Sequence, residues 1–287
     1  MALGQLLDQF GPEIEDPEEE TFLLFSQDIP SQNLGFVDSH ATTVDLTING
    51  KDYTIHQSPT ILNRPGSTTG AVIWKITPLI ASWLSSPSNI LFKTGFLSSS
   101  SSVLELGCGI SGLVGLTLSP MVSQYVLTDQ PYVARLVERN LEENAIITTT
   151  QQQQQKSNSK RNNNNKNKST NLRFTSLDWE LDEVPPSLAS DVVIACDCIY
   201  NETLIKPLVQ TCADVCGLRQ QQQQQQQQVA ICIVAQQLRD PEIFEGWIKE
   251  FSSKFRVWRI PETFLSKELR DNTGFVVHVG VLKDMLN

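Results

Sequence analysis

From about residue 103 onward, the chain alternates between two kinds of hydrophobic pattern. Short runs rich in Val, Ile, Leu and aromatic residues recur at 103–106, 125–128, 172–177, 191–196, 229–234, 256–260 and 275–282. Their length and β-branched content predict strands, seven in all. The stretches between them carry helix starts: Pro131 ahead of ARLVERNLEENA, Asn201 ahead of ETLIKPLVQTCADV, and Pro241 at the first helical position of DPEIFEGWIKEFSSKF. Strand–helix–strand repetition predicts a doubly wound α/β fold, a mainly parallel seven-stranded sheet covered on both faces. Upstream, TVDLTI and KDYTIHQ flank Asn49-Gly50, the dipeptide of a tight hairpin turn.

Two polar tracts interrupt this pattern, at residues 148–170 (TTTQQQQQKSNSKRNNNNKNKST) and 220–228, all glutamine. Neither can bury enough apolar surface to offset the entropy of ordering, so both are expected to be disordered loop insertions. The expected organisation is an N-terminal extension with the hairpin and a helical start, residues 1–65, followed by one α/β domain over 66–287 that carries the two insertions.

Composition narrows the setting. No run reaches the roughly 18 apolar residues of a membrane helix, since 71–84 is interrupted by Lys75 and Pro78. The start of the chain has no basic segment and soon turns acidic, which argues against a cleaved secretory signal. The expectation is a cytoplasmic protein, the nucleus remaining open, and by default a monomer. The six cysteines, Cys108, Cys196, Cys198, Cys212, Cys216 and Cys232, sit mostly in apolar segments and fit reduced core thiols. A zinc set drawn from Cys196, Cys198, Cys212 and Cys216 is disfavoured, because alternate residues of a strand point to opposite faces. The net charge is −10, and the Asn-rich tract holds five of the positive charges, leaving −15 on the remainder. That disfavours nucleic acid as a direct ligand and suits a basic protein substrate, though solubility alone accounts for it equally well.

Candidate chemistry begins at VLELGCGISGLVG. An apolar strand runs through Gly107, Gly109 and Gly112 into a helical pattern, and glycines there permit a tight turn and let backbone N–H groups approach a ligand. On spacing alone this also describes dinucleotide-binding enzymes, or a purely structural strand-to-helix turn. Two acids sharpen it. Glu105, two positions before the first glycine, can fix a cationic ligand group and would face a pyrophosphate unfavourably. Asp129, closing the next strand, can accept hydrogen bonds from a ribose diol.

Further along, Trp179 offers a stacking face for adenine and Asp178 a nearby acceptor for its exocyclic amine; a buried tryptophan without a ligand is the plainer alternative. The run DVVIACDCIY puts Asp197 and Tyr200 at the carboxyl edge of the sheet, where open α/β folds bind ligands. Asp197 could instead cap the following helix, although Asn201 is the better cap. Only His40, His56 and His278 are present, widely separated in sequence, so a metal site is not expected, and His278 reads as a strand residue.

With these pieces in order, the chain resembles the seven-β-strand, class I protein-lysine methyltransferases of Rossmann-like fold, and within them the fungal ribosomal lysine methyltransferase 5 group. The resemblance spans roughly residues 66–282 and includes GSTTGAVIWKITPLIASWL, LELGCGISGLVG, LTDQ, LDWE and CDCIYNETLIKPL. It implies S-adenosylmethionine as cofactor, contacted by Trp74, by Gly107, Cys108 and Gly109, by Asp129 and Trp179, and by the backbone around Cys196, with Glu105 in support. Asp197 and Tyr200 match the D-x-x-Y signature and are the implied catalytic pair. The implied substrate is a large-subunit ribosomal protein, with another translation factor or a chaperone as the alternative. The glycine loop is one residue longer than the common family form, with Ile110-Ser111 where a single Thr is usual. Amide and nucleobase methyltransferases usually show [ND]-P-P-[YF] where this chain has Asp197-Cys198-Ile199-Tyr200. Two other classes stay open: a nicotinamide-dependent oxidoreductase, which leaves Glu105 and D-x-x-Y unexplained, and a methyltransferase-like protein that binds a partner without catalysis.

Overall fold

A computed structural model of the chain describes residues 2–30, 35–62, 69–155, 171–222, 229–270 and 272–283. Before the sheet lie α1 (Ala2–Phe10), α2 (Pro17–Phe25), the hairpin β1 (Thr43–Ile48) and β2 (Lys51–His56), and three helices, α3 (Pro59–Leu62), α4 (Ile76–Leu84) and α5 (Ile90–Lys93). The sheet unit then alternates β3 (Ser102–Leu106), α6 (Leu113–Leu118), β4 (Gln124–Asp129), α7 (Ala134–Gln155), β5 (Leu172–Ser176), β6 (Val192–Cys196), α8 (Glu202–Gln222), β7 (Ile231–Gln237), α9 (Pro241–Lys254), β8 (Phe255–Arg259) and β9 (Phe275–Leu282).

All seven strands of the sequence pattern join one sheet, in the order β5-β4-β3-β6-β7-β9-β8. Pairings from β5 through β7 are parallel, and β9 runs antiparallel between β7 and β8. The chain winds outward from β3 to one edge and then from β6 to the other. A crevice therefore opens at their carboxyl ends, where consecutive connections leave in opposite directions.

Both faces of the sheet are covered, which is why strands such as VVIAC are apolar throughout rather than alternating. One apolar cluster joins α1, the hairpin, α4 and α6 to Val103, Tyr125, Ile194 and Ile233. The other joins α8 and α9 to Leu104, Val126, Val193 and Val234 and reaches Leu24 of α2. The N-terminal segment thus contributes to both faces. Helix starts fall where the sequence places them: Asn201 caps α8 by accepting the Thr203 N–H at 3.1 Å, and Asp240 caps α9 ahead of Pro241.

The Asn49-Gly50 turn forms as expected, with both residues at positive φ. The outer edge of β2 is then paired by a helix. Asn144 of α7 accepts the Thr54 N–H at 3.0 Å and donates to the Thr54 carbonyl at 3.0 Å. Asn140 does the same for His56, at 2.8 and 2.9 Å, and its amide also donates to the Ile110 carbonyl of the glycine loop at 2.7 Å. Both asparagines are buried.

The polar tracts depart in part from the expected loops: α7 continues to Gln155 and α8 to Gln222. Glutamine is a fair helix former, so a helix entering such a tract has no local reason to stop. The remainder of both tracts lies outside the described residues. All six cysteines are free and buried. No described helix is long and apolar enough to cross a membrane.

Candidate functional site

The turn after β3 is built on glycine. Gly107, Gly109 and Gly112 have φ of +67°, +58° and +54°, where a side chain is strained. At Gly107 an added Cβ would also lie 2.7 Å from Cys198 Sγ and 3.1 Å from the Trp179 ring, so the position requires glycine on two counts. Ile110 and Ser111 of this loop are each held locally. Ile110 is buried, and its N–H donates to the Gly70 carbonyl at 2.9 Å; Ser111 Oγ accepts the Leu113 N–H at the start of α6. The segment from Thr69 to Trp74 thereby lies across the glycine turn as a strap, which the sequence pattern did not single out as a structural element.

A cavity enclosing about 830 Å³, its open mouth included, lies between strap and turn at the carboxyl ends of β3, β4 and β6. Trp74, Glu105, Gly107, Cys108, Gly109, Asp129, Asp178, Trp179, Cys196, Asp197 and Tyr200 all line it, so every candidate residue read from the sequence is brought to one place. Thr69, Gln130 and Tyr132 join them without having been anticipated.

The electrostatics differ from wall to wall. Glu105 is buried, and its Oε2 accepts the Tyr125 hydroxyl at 2.7 Å. Burial pushes its carboxyl up to about 7, with Asp129 adding to the rise and the Tyr125 hydrogen bond opposing it. Burial likewise raises Asp129, against two backbone donors, Gln130 N–H at 2.7 Å and Gly109 N–H at 2.8 Å. Asp129 thus ties the end of β4 to the glycine turn, and a ligand diol would have to share its oxygens.

Asp178 accepts the Glu180 N–H at 2.9 Å. The Nε1 of Trp179 is buried and has no hydrogen-bond partner among the described residues, while its ring flanks Gly107. On the strap, Trp74 donates from Nε1 to the Thr69 carbonyl at 3.0 Å, and its ring packs on Phe36 with centroids 4.5 Å apart. Cys196 closes β6 and is buried. Tyr200 stands at the mouth, 45% exposed, with burial raising its phenol and Thr69 opposing the rise.

Asp197 departs from the simplest sequence expectation. It does not cap α8, and its carboxylate is not free to face a ligand. Arg239 Nη1 donates to Oδ1 at 2.8 Å and Nη2 to Oδ2 at 2.7 Å, and the Gln237 N–H adds a third donor at 3.2 Å. The backbone of Asp197 is left-handed at φ +59°, a conformation aspartate tolerates better than most residues. Arg239 escaped the sequence reading because β7 extends to Gln237, beyond its apolar run, carrying the arginine to the edge where β6 ends. Its only signal was a lone cation just after a strand end.

A lysine methyltransferase family matches residues 56–156 and 144–245, most of the sheet unit. The chain belongs to this family. Among curated relatives, ribosomal lysine N-methyltransferase 5 of Zygosaccharomyces rouxii is 27% identical over 247 residues, covering 75% of this chain and 76% of the relative. The enzyme of the same name from Vanderwaltozyma polyspora is 27% identical over 277 residues, covering 79% and 84%. A Schizosaccharomyces pombe protein named diaminohydroxyphosphoribosylamino-pyrimidine deaminase is 28% identical over 257 residues, covering 88% of this chain. The chain spans about half of that protein's length, 55%. Among solved structures, SMU.776 complexed with SAH aligns at a TM-score of 0.47 with 11% identity, over 85% of this chain and 57% of that one.

This lysine methyltransferase family depends on S-adenosylmethionine, and the cavity fits that molecule in three respects. Glu105, buried and without a cation among the described residues, suits a positively charged group, the Trp179 and Leu177 wall suits a purine, and the lack of a Cβ at Gly107 lets the turn's backbone pack directly against Trp179 and Cys198 at the cavity wall.

Proposed function

We propose that the protein is an S-adenosylmethionine-dependent protein-lysine N-methyltransferase acting in the cytoplasm on a large-subunit ribosomal protein. The observation that carries this reading is the convergence of Glu105, the glycine turn, Trp179 and the D-x-x-Y residues on one cavity at the crevice of the sheet. The names of the fungal relatives support the ribosomal substrate.

When bound, S-adenosylmethionine supplies a methyl group on a positively charged sulfur, and its S–C bond breaks as the lysine nitrogen forms the new C–N bond. The amine must be neutral to attack, whereas a free lysine, with a pKa of about 10.4, is charged at pH 7. Asp197 holds both oxygens against Arg239, so the proton is assigned to solvent at the cavity mouth. The protein's share is then alignment and exclusion of water. Trp179 and Leu177 form the apolar wall, Asp129 and Asp178 the acceptors, Glu105 the anionic floor. Tyr200, half in solvent, shapes the entrance through which a lysine side chain reaches the reacting centre.

The test is incubation of the purified protein with tritiated S-adenosylmethionine and large ribosomal subunits from cells lacking their own enzyme, with Asp197→Asn as control. A labelled ribosomal band, weaker with the variant and mapped to lysine, is the expected result. No label, despite measured binding of S-adenosylhomocysteine, would overturn the catalytic reading for this substrate class.

A further inference from the structure

Asp197 is a charged group in an unusual position for a site that handles a cation. Its side chain is 2% exposed, yet its charge is fully answered from within the protein by the forked pairing with Arg239. A guanidinium fork fixes direction as well as charge. Arg239 is itself held from two more sides: Nη2 also donates to Gln237 Oε1 at 2.9 Å, and the guanidinium lies 4.9 Å over the Trp74 ring. Arg239 does not line the cavity. It stands behind Asp197 and Trp74, which do.

We propose that Arg239 is a charge-compensating positioning residue: by pairing with Asp197 it sets how strongly the cavity distinguishes the positively charged methyl donor from its neutral thioether product. This rests on the methyltransferase reading above. A buried carboxylate without its guanidinium would attract the sulfonium strongly, because unlike charges interact strongly where water is scarce. That attraction belongs to the ground state. It weakens as the positive charge leaves sulfur for the attacking nitrogen, so it would tighten donor binding without helping the transfer. Compensation by Arg239 removes the excess while leaving the carboxylate fixed in place. A lysine could supply the charge but not the combination of a two-oxygen fork and a flat face for Trp74.

The experiment is titration calorimetry of the full chain with S-adenosylmethionine and, separately, S-adenosylhomocysteine. Wild type is compared with Arg239→Gln, Asp197→Asn and the double variant. Arg239→Gln is expected to raise the donor-to-product affinity ratio by about tenfold or more, since it bares the carboxylate. Asp197→Asn bares the guanidinium instead and is expected to lower the ratio by a similar factor, and the double variant returns it close to the wild-type value. A residue that only packs would weaken both ligands together and leave the ratio unchanged, and that result would overturn the proposal. Should Arg239→Gln not fold, Asp197→Asn decides alone, and a ratio that stays constant or rises sinks the idea. Wild-type protein that binds neither ligand would defeat the methyltransferase reading itself, a distinct outcome.

Discussion

Two glutamates are buried to nearly the same degree and behave in opposite ways. Glu20, on α2, is 5% exposed and faces the sheet, 2.9 Å from His278 Nε2 and 3.6 Å from Arg259 Nε. Burial alone would raise its carboxyl, but His278 and Arg259 more than reverse the effect and hold it below the usual range. Glu105, 2% exposed, has Tyr125 as a hydrogen-bond donor and the anion of Asp129 nearby, and its carboxyl rises to about 7. A buried acid whose cation lies inside the fold is a fastener, whereas one without a cation is poised for a charge that arrives from outside.

Removing each acid should separate the two cases. Glu20→Ala leaves His278 and Arg259 without their partner and should cost about 3 kcal/mol in urea unfolding, while affinity for S-adenosylhomocysteine stays the same. Little loss of stability would show that the helix is not fastened there.

Glu105→Gln should do the reverse. In the folded protein Glu105 still holds a proton at pH values where the unfolded chain, at its ordinary 4.5, has released it. Its burial therefore costs stability only as pH rises above 4.5, and the full cost is reached above 7. The Gln variant should gain up to about 3 kcal/mol at pH 8, nothing near pH 4, and lose affinity for S-adenosylmethionine. A gain independent of pH would contradict the assignment.

Next in size, Trp179→Ala should weaken S-adenosylhomocysteine binding by about 1–3 kcal/mol if the ring stacks on adenine. Unchanged affinity would return Trp179 to a packing role. The smallest effect is on wild-type protein. Affinity for S-adenosylmethionine should rise by about tenfold between pH 5.5 and 7 as Glu105 ionises, and stay flat in Glu105→Gln. A rise of equal size in the variant would place the titrating group elsewhere.

The contrast also marks how much of this the sequence could show. Strands buried on both faces read as continuous apolar runs, and the glycine turn, Glu105 and Asp129 lie on or beside two of them, so fold and cavity floor were legible. The partners of buried charges were not. Arg239 lies 42 residues beyond Asp197 and meets it only because β7 pairs beside β6; Glu20 and His278 are 258 residues apart. Asp197 could be placed at a strand end from its neighbours alone, but whether its carboxylate was free depended on a side chain just beyond the end of the next strand. Trp74 was visible through family resemblance and not through spacing, because its place over the cavity depends on the strap meeting the glycine loop at Gly70.

The asparagine pair on α7 gives the hairpin a reach beyond its own two strands. Positions four apart on a helix are separated by about 6 Å along its axis, and positions two apart on a strand by about 6.6 Å, so Asn140 and Asn144 act as a ruler whose marks match His56 and Thr54. The ruler reads register: a shift of β2 by one residue turns the wrong side of its backbone to both amides. Because Asn140 also grips Ile110, such a slip would be felt at the glycine loop. An insertion or deletion in the hairpin would thus be a lesion of the ligand cavity, though the hairpin contributes no side chain to its wall.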